Sequence, residues 1–103
     1  MDANSRIDVL RSLLAQNPDN SFVRYGLAME YVKAGEFEQA MDEFAAILER
    51  EPSYSAAYFH GGQTLEKMGR IEEAREYYRR GIAHSADPHA RSELQGALDI
   101  LGE

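Results

Sequence analysis

The chain repeats itself at an interval of 34 residues: Ser21, Lys33, Gly35, Glu38 and Ala40 return as Ser55, Lys67, Gly69, Glu72 and Ala74. Similar residues follow the same interval, with Tyr25 matched by Phe59, Phe37 by Ile71 and Phe44 by Tyr78. A period of this length marks an architecture in which each unit is one supersecondary element that buries its apolar face against the next. The offset also reaches back, linking Asp8 to Asp42, Leu14 to Leu48 and Pro18 to Pro52, so residues 5–18 read as half a unit.

Within each unit the punctuation is that of helices joined by short turns, and no strand pattern competes. Six helical segments are predicted, at 5–16, 21–34, 37–50, 54–68, 71–84 and 88–101, with Pro18, Gly35, Pro52, Gly69 and the Asp87-Pro88 pair between them. Gly35 and Gly69 suit the left-handed conformation that ends a helix, and each is followed at once by a fresh helical pattern. Ser53 is expected to cap the fourth helix; Asp87 followed by Pro88 supplies an acceptor and then a residue pre-set for the first turn.

Leu27, Ala28, Tyr31, Gly35, Ala40, Phe44 and Pro52 in the first unit, and Tyr58, Gly62, Gly69, Ala74 and Tyr78 in the second, carry a resemblance to the tetratricopeptide repeat (TPR) family. The resemblance implies an all-α, right-handed α-solenoid of antiparallel helix hairpins, with full repeats at 21–54 and 55–88. The half-repeat helix at 5–18 and a capping helix at 88–101 would complete a single domain over 1–103. Some positions depart from the family pattern: Arg24 replaces a large apolar residue, Gly61 a leucine and Leu65 an aromatic residue, while Gly81 and Ala86 stand where alanine and proline are common.

The helix at 21–34 is apolar on two faces, more than a surface helix needs. Leu27, Ala28 and Tyr31 form a packing seam, with Ala28, like Gly62 in the next unit, small enough for close approach. A second stripe consists of Phe22, Tyr25, Met29 and Val32, flanked by Lys33. In the family the first helix of each hairpin lines an inner groove, and the equivalent positions here include Ala56, Phe59, His60, Gln63, Glu66 and Lys67. The expected contact set is Phe22, Tyr25, Met29, Val32, Lys33, Phe59, His60 and Gln63. Two readings of the stripe stand side by side: a groove for another polypeptide, or extra core covered by the terminal helices. Some TPR domains clamp a C-terminal carboxylate, but Tyr25, Met29 and His60 stand where that clamp uses lysine and asparagine. The expected partner is therefore a protein or peptide presenting an apolar helix or extended segment, with homo-oligomerisation through the same surface as the alternative.

Composition narrows the function classes. With 44% hydrophobic and 28% charged residues over 103 positions the chain is globular in character, and its net charge of −7 repels nucleic acid. Arg75, Arg79 and Arg80 share their helix with Glu72, Glu73 and Glu76, which reads as a salt-bridged surface. The absence of cysteine fits a reducing compartment, and no basic-apolar leader or membrane-length apolar run is seen, so the expected location is the cytoplasm, away from membranes. His60, His84 and His89 form neither a metal-ligand pair nor part of a nucleophile motif, so no enzyme activity, metal or cofactor is expected.

Overall fold

The computed structural model describes residues 3–102, with side chains from Ser5 onward. Met1, Asp2 and Glu103, the ends of the expected domain, lie outside the described residues. The helices are α1 (Ala3–Gln16), α2 (Ser21–Lys33), α3 (Phe37–Arg50), α4 (Ser55–Lys67), α5 (Ile71–His84) and α6 (Pro88–Ile100).

Local chemistry sets the boundaries. The Asn20 side chain accepts a hydrogen bond from the Val23 amide at 3.1 Å, and that of Asp87 from the His89 amide at 3.2 Å, satisfying donors that a helix start leaves free. The expected cap at Ser53 is not formed. Helix α4 begins at Ser55, one residue later than expected, so Tyr54 takes the capping position without a side-chain bond. Ser53 then lies one residue too early to reach the first amides, and its carbonyl accepts from the Ser55 hydroxyl at 3.4 Å. The glycine stops are built identically. Gly35 has φ 78° and Gly69 φ 76°. The next residues turn their amides back to the last helical turn, Glu36 to the Tyr31 carbonyl at 2.8 Å and Arg70 to the Leu65 carbonyl at 2.9 Å. These are Schellman closures, in which the left-handed glycine frees the chain to reverse within two residues.

Each helix packs against the one before it, and α6 also touches α4. The result is two rows, α1, α3 and α5 in one and α2, α4 and α6 in the other, with the core between them. Leu27, Ala28, Tyr31, Phe44, Ile47, Tyr58, Leu65, Tyr78, Leu94 and Leu98 are buried there. Gly62 marks the tightest approach: a Cβ at that position would overlap the Tyr78 ring. The ring is pinned there because its hydroxyl donates to Glu66 and accepts from the Gln63 amide at 3.1 Å. Burial and the Glu66 carboxylate beside it both push the Tyr78 hydroxyl well above the usual tyrosine range.

At the N-terminal end α1 is tied down by Arg6 to Glu30 at 2.8 Å and by Arg11 to the Tyr31 hydroxyl at 3.0 Å. The hydrogen bond from Arg6 holds the Glu30 carboxyl below its ordinary range. At the other end α6 buries Leu94, Ala97 and Leu98 and leaves Ser92, Gln95 and Asp99 exposed, the polar outer face of an end helix.

Candidate functional site

The row formed by α2, α4 and α6 carries the expected contact residues, but they are not equivalent. Phe22, in the first turn of α2, is 78% exposed, an unusual state for a phenylalanine. Tyr25, Met29 and Val32 are half-buried and lean on the core. Tyr25 sits in a cluster of rings, 6.3 Å from Phe44, 5.8 Å from Tyr54 and 5.8 Å from His60 between centroids, and burial raises its hydroxyl pKa. Tyr25 is thus a hinge of packing between α2, α3 and α4 as well as a wall of the row. Lys33 is exposed, its ammonium 3.5 Å from Glu30. Gln63 is partly engaged inward, as the donor to Tyr78.

Phe59 and His60 meet edge to face at 5.3 Å in the middle of the row. Burial holds the His60 imidazole below its ordinary pKa; Glu93 pulls the other way, and Lys67 adds a smaller push in the same direction as burial. The neutral ring therefore belongs to the apolar wall.

Sequence reasoning missed the contribution of α6. A cavity of about 490 Å³ lies between α4 and α6, walled by Ala56, Phe59, His60, Ala90 and Leu94, with Ser55 and Glu93 at its polar margin. A second, of about 290 Å³, continues along the same cleft between Phe59 and Gln63 on one side and Gly96, Ala97 and Ile100 on the other, again with Glu93. Ile100 is 86% exposed. The signal was present: the 34-residue offset applied once more carries Ala56 to Ala90, Phe59 to Glu93, Gln63 to Ala97 and Glu66 to Ile100. Helix α6 is the first helix of a third unit and lines the row as α2 and α4 do.

Among the described residues no group of three or more His, Cys, Asp or Glu side chains is placed to hold a metal ion. No described helix is long and apolar enough to cross a membrane.

Two rows of helices in a 34-residue register, closed by paired left-handed glycines, define an α-helical repeat protein. Residues 25–91 match the tetratricopeptide repeat family model. The chain belongs to that family. A TPR repeat-containing protein of Pseudomonas aeruginosa is 32% identical over 91 residues, spanning 85% of this chain and 87% of its own. The crystal structure of a TPR domain protein of Salinibacter ruber superimposes with a TM-score of 0.73 at 30% identity, covering 81% of this chain and 96% of that one. The solution structure of a protein of Bordetella parapertussis gives 0.79 at 31% identity, covering 93% and 86%. Members of such a family are generally protein-interaction modules, and no catalytic domain is indicated.

Proposed function

We propose that this chain binds a partner polypeptide along the concave row of α2, α4 and α6, with repeats at 21–54 and 55–88 supplying most of the surface and the helices at 5–18 and 88–101 closing its ends. The observation that carries this reading is Phe22: a large aromatic side chain, 78% exposed, on the same row as the half-buried Met29, Val32 and Phe59. An aromatic left outside a well-packed core exposes apolar area that a partner can cover, and aromatic anchors dominate many interfaces. Lys33, His60 and Gln63 add polar contacts at its edges. The missing cysteine and the −7 charge fit a protein of the cytoplasm.

The test is affinity capture with the wild type and Phe22→Ser, with partners identified by mass spectrometry and affinities measured on the recovered protein. Because Phe22 touches little, the variant should melt as the wild type does while partner affinity falls by ~2 kcal/mol, the scale of a hot-spot truncation. A partner that binds both proteins equally would exclude the row as its site. A wild-type dimer that Phe22→Ser converts to monomer in light scattering would support the alternative, self-association through the same surface.

A further inference from the structure

We infer that the cleft between α4 and α6 selects a cationic amphipathic helix: a partner segment with two apolar side chains one turn apart, separated by a lysine or arginine that pairs with Glu93. This deepens, and rests on, the proposed binding of a polypeptide along the α2, α4 and α6 row.

Three observations meet at Glu93. First, it borders both cavities of the cleft, which share only Phe59 and Glu93, so the two form a ridge between two apolar hollows. Second, its carboxylate is the one formally charged group among the residues lining either hollow, His60 being kept neutral by burial. The ion-pair contact it makes is a distant one, 3.9 Å to His89, an imidazole that carries charge only when protonated. The α4 cation that faces this region is Lys67, which acts on His60 from the far end of the helix. Third, the hollows are displaced along the α6 axis: one is walled by Ala90 and Leu94, the other by Ala97 and Ile100. Their centres lie about one helical turn apart, ~5–6 Å, which is the separation of side chains at i and i+4 on a docked helix.

The chemistry follows. An apolar side chain in each hollow removes water from around the ridge, and a carboxylate losing water without a cation is penalised. A lysine or arginine between the apolar positions meets that carboxylate at short range, whereas an acidic residue there is repelled, so the ridge discriminates by charge. The −7 net charge draws basic segments toward the protein from a distance in the same sense.

The probe is a displayed library of random peptides selected on the intact wild-type chain, on Glu93→Lys and on Ile100→Ser. Glu93 and Ile100 are both exposed, so the variants should keep the wild-type circular dichroism and melting temperature. Wild-type selections should be enriched in apolar residues at i and i+4 with Lys or Arg between, and Glu93→Lys should replace that cation by Asp or Glu. A wild-type-selected peptide should lose roughly tenfold in affinity for Glu93→Lys and weaken on Ile100→Ser. Peptides that depend on Ile100 and Phe22 yet ignore the charge at position 93 overturn this inference and leave the binding reading standing. Peptides indifferent to Ile100→Ser and Phe22→Ser overturn both. If no peptide is selected and light scattering finds a dimer that Ile100→Ser dissociates, the occupant is a second copy, and the inference also falls.

Discussion

In the α2–α3 hairpin, Arg24 of the first helix meets Glu43 of the second at 2.7 Å; 34 residues further on, Tyr58 and Tyr77 occupy the same two places with ring centroids 6.2 Å apart. Both first-helix residues make one more bond of the same kind. Arg24 donates to the carbonyl of Pro18 at 3.0 Å, and the Tyr58 hydroxyl to that of Pro52 at 2.6 Å, prolines that are themselves 34 residues apart. An ion pair and an aromatic pair thus close the same corner against the preceding turn. The space they need is found differently. Around the ion pair stand Leu27, Ala28 and Ile47; around the rings stand Gly61, Gly62 and Gly81. A Cβ on Gly61 would lie 2.5 Å from the Tyr77 ring, and one on Gly81 2.7 Å from the Tyr58 Cβ. The second repeat has moved its bulk from the helix backbones into tyrosine rings.

That exchange explains the departures from the family pattern as coupled choices. Arg24, Gly61 and Gly81 look like separate lapses when each is compared with its own consensus, but each is matched by a neighbour across the seam. The comparison teaches that the repeat conserves the filled volume and the turn contact, while the residues that supply them vary together.

The sharpest way to break the comparison is to give the second repeat the small side chain that the first one carries. Ala28 is accommodated in α2, whereas Gly62→Ala should destabilise the protein by ~1–3 kcal/mol in urea unfolding, because the Tyr78 ring is held from behind by Gln63 and Glu66 and cannot retreat. This loss outweighs the ~1 kcal/mol that alanine gains over glycine in a helix interior. Gly96 occupies the same register in α6, with nothing within 4 Å of its Cβ position. There Gly96→Ala should be neutral or stabilising by up to ~1 kcal/mol. Equal effects at the two glycines would mean that the seam is not defined by the Tyr78 ring.

A smaller effect separates the two corner devices. The Arg24 and Glu43 side chains are 20% and 19% exposed, so Arg24→Leu removes two hydrogen bonds and leaves a half-buried carboxylate without its cation, an expected cost of ~1–3 kcal/mol. Tyr58→Phe removes only the bond to Pro52 and keeps the ring, at about 1 kcal/mol. Salt adds a second reading: 1 M sodium chloride should narrow the Arg24→Leu difference and leave that of Tyr58→Phe unchanged. A Tyr58→Phe cost as large as that of Arg24→Leu would show that the hydroxyl, not the ring stack, holds the second corner.

Much of this architecture was legible in the sequence because helix stops and the repeat are local signals. Gly35 and Gly69 fix the hairpins by backbone conformation, and five interval-matched identities from Ser21 to Ala74 fix the register. The compensation at Gly61 and Gly81 was not legible, since it depends on which ring crosses the seam, a contact between residues 16 or more positions apart. Within the candidate site, the apolar stripe of α2 was readable from helical periodicity, but periodicity treats Phe22 and Tyr25 alike; only the neighbouring rings from α3 and α4 separate the exposed anchor from the packed one. The walls given by α6 were overlooked because that helix was taken as an end piece, although its register repeats that of α4.

The smallest expected effect lies where the repeats differ in a titrating group: position 60 holds a histidine, while its counterpart, Gly26, holds none. The half-buried His60 ring lies against Tyr25 and Phe59, and its pKa is lowered from the ordinary 6.5, first by burial. As pH falls, the unfolded chain takes up this proton before the folded one does, so the folded state binds fewer protons in that window. The stability linked to His60 is therefore complete above about pH 6.5 and declines as pH falls from there toward the lowered pKa. Urea midpoints followed from about pH 7.5 to about pH 5 should show a steeper acid decline for the wild type than for His60→Gln, with carboxylate titrations common to both cancelling in the difference. Glu93 supports the protonated ring from α6, so Glu93→Gln should steepen the decline further. Should wild type and His60→Gln run parallel, the imidazole would be gaining its proton as readily in the folded chain as in the unfolded one. It would then be a solvated side chain rather than part of the apolar wall between α2, α4 and α6.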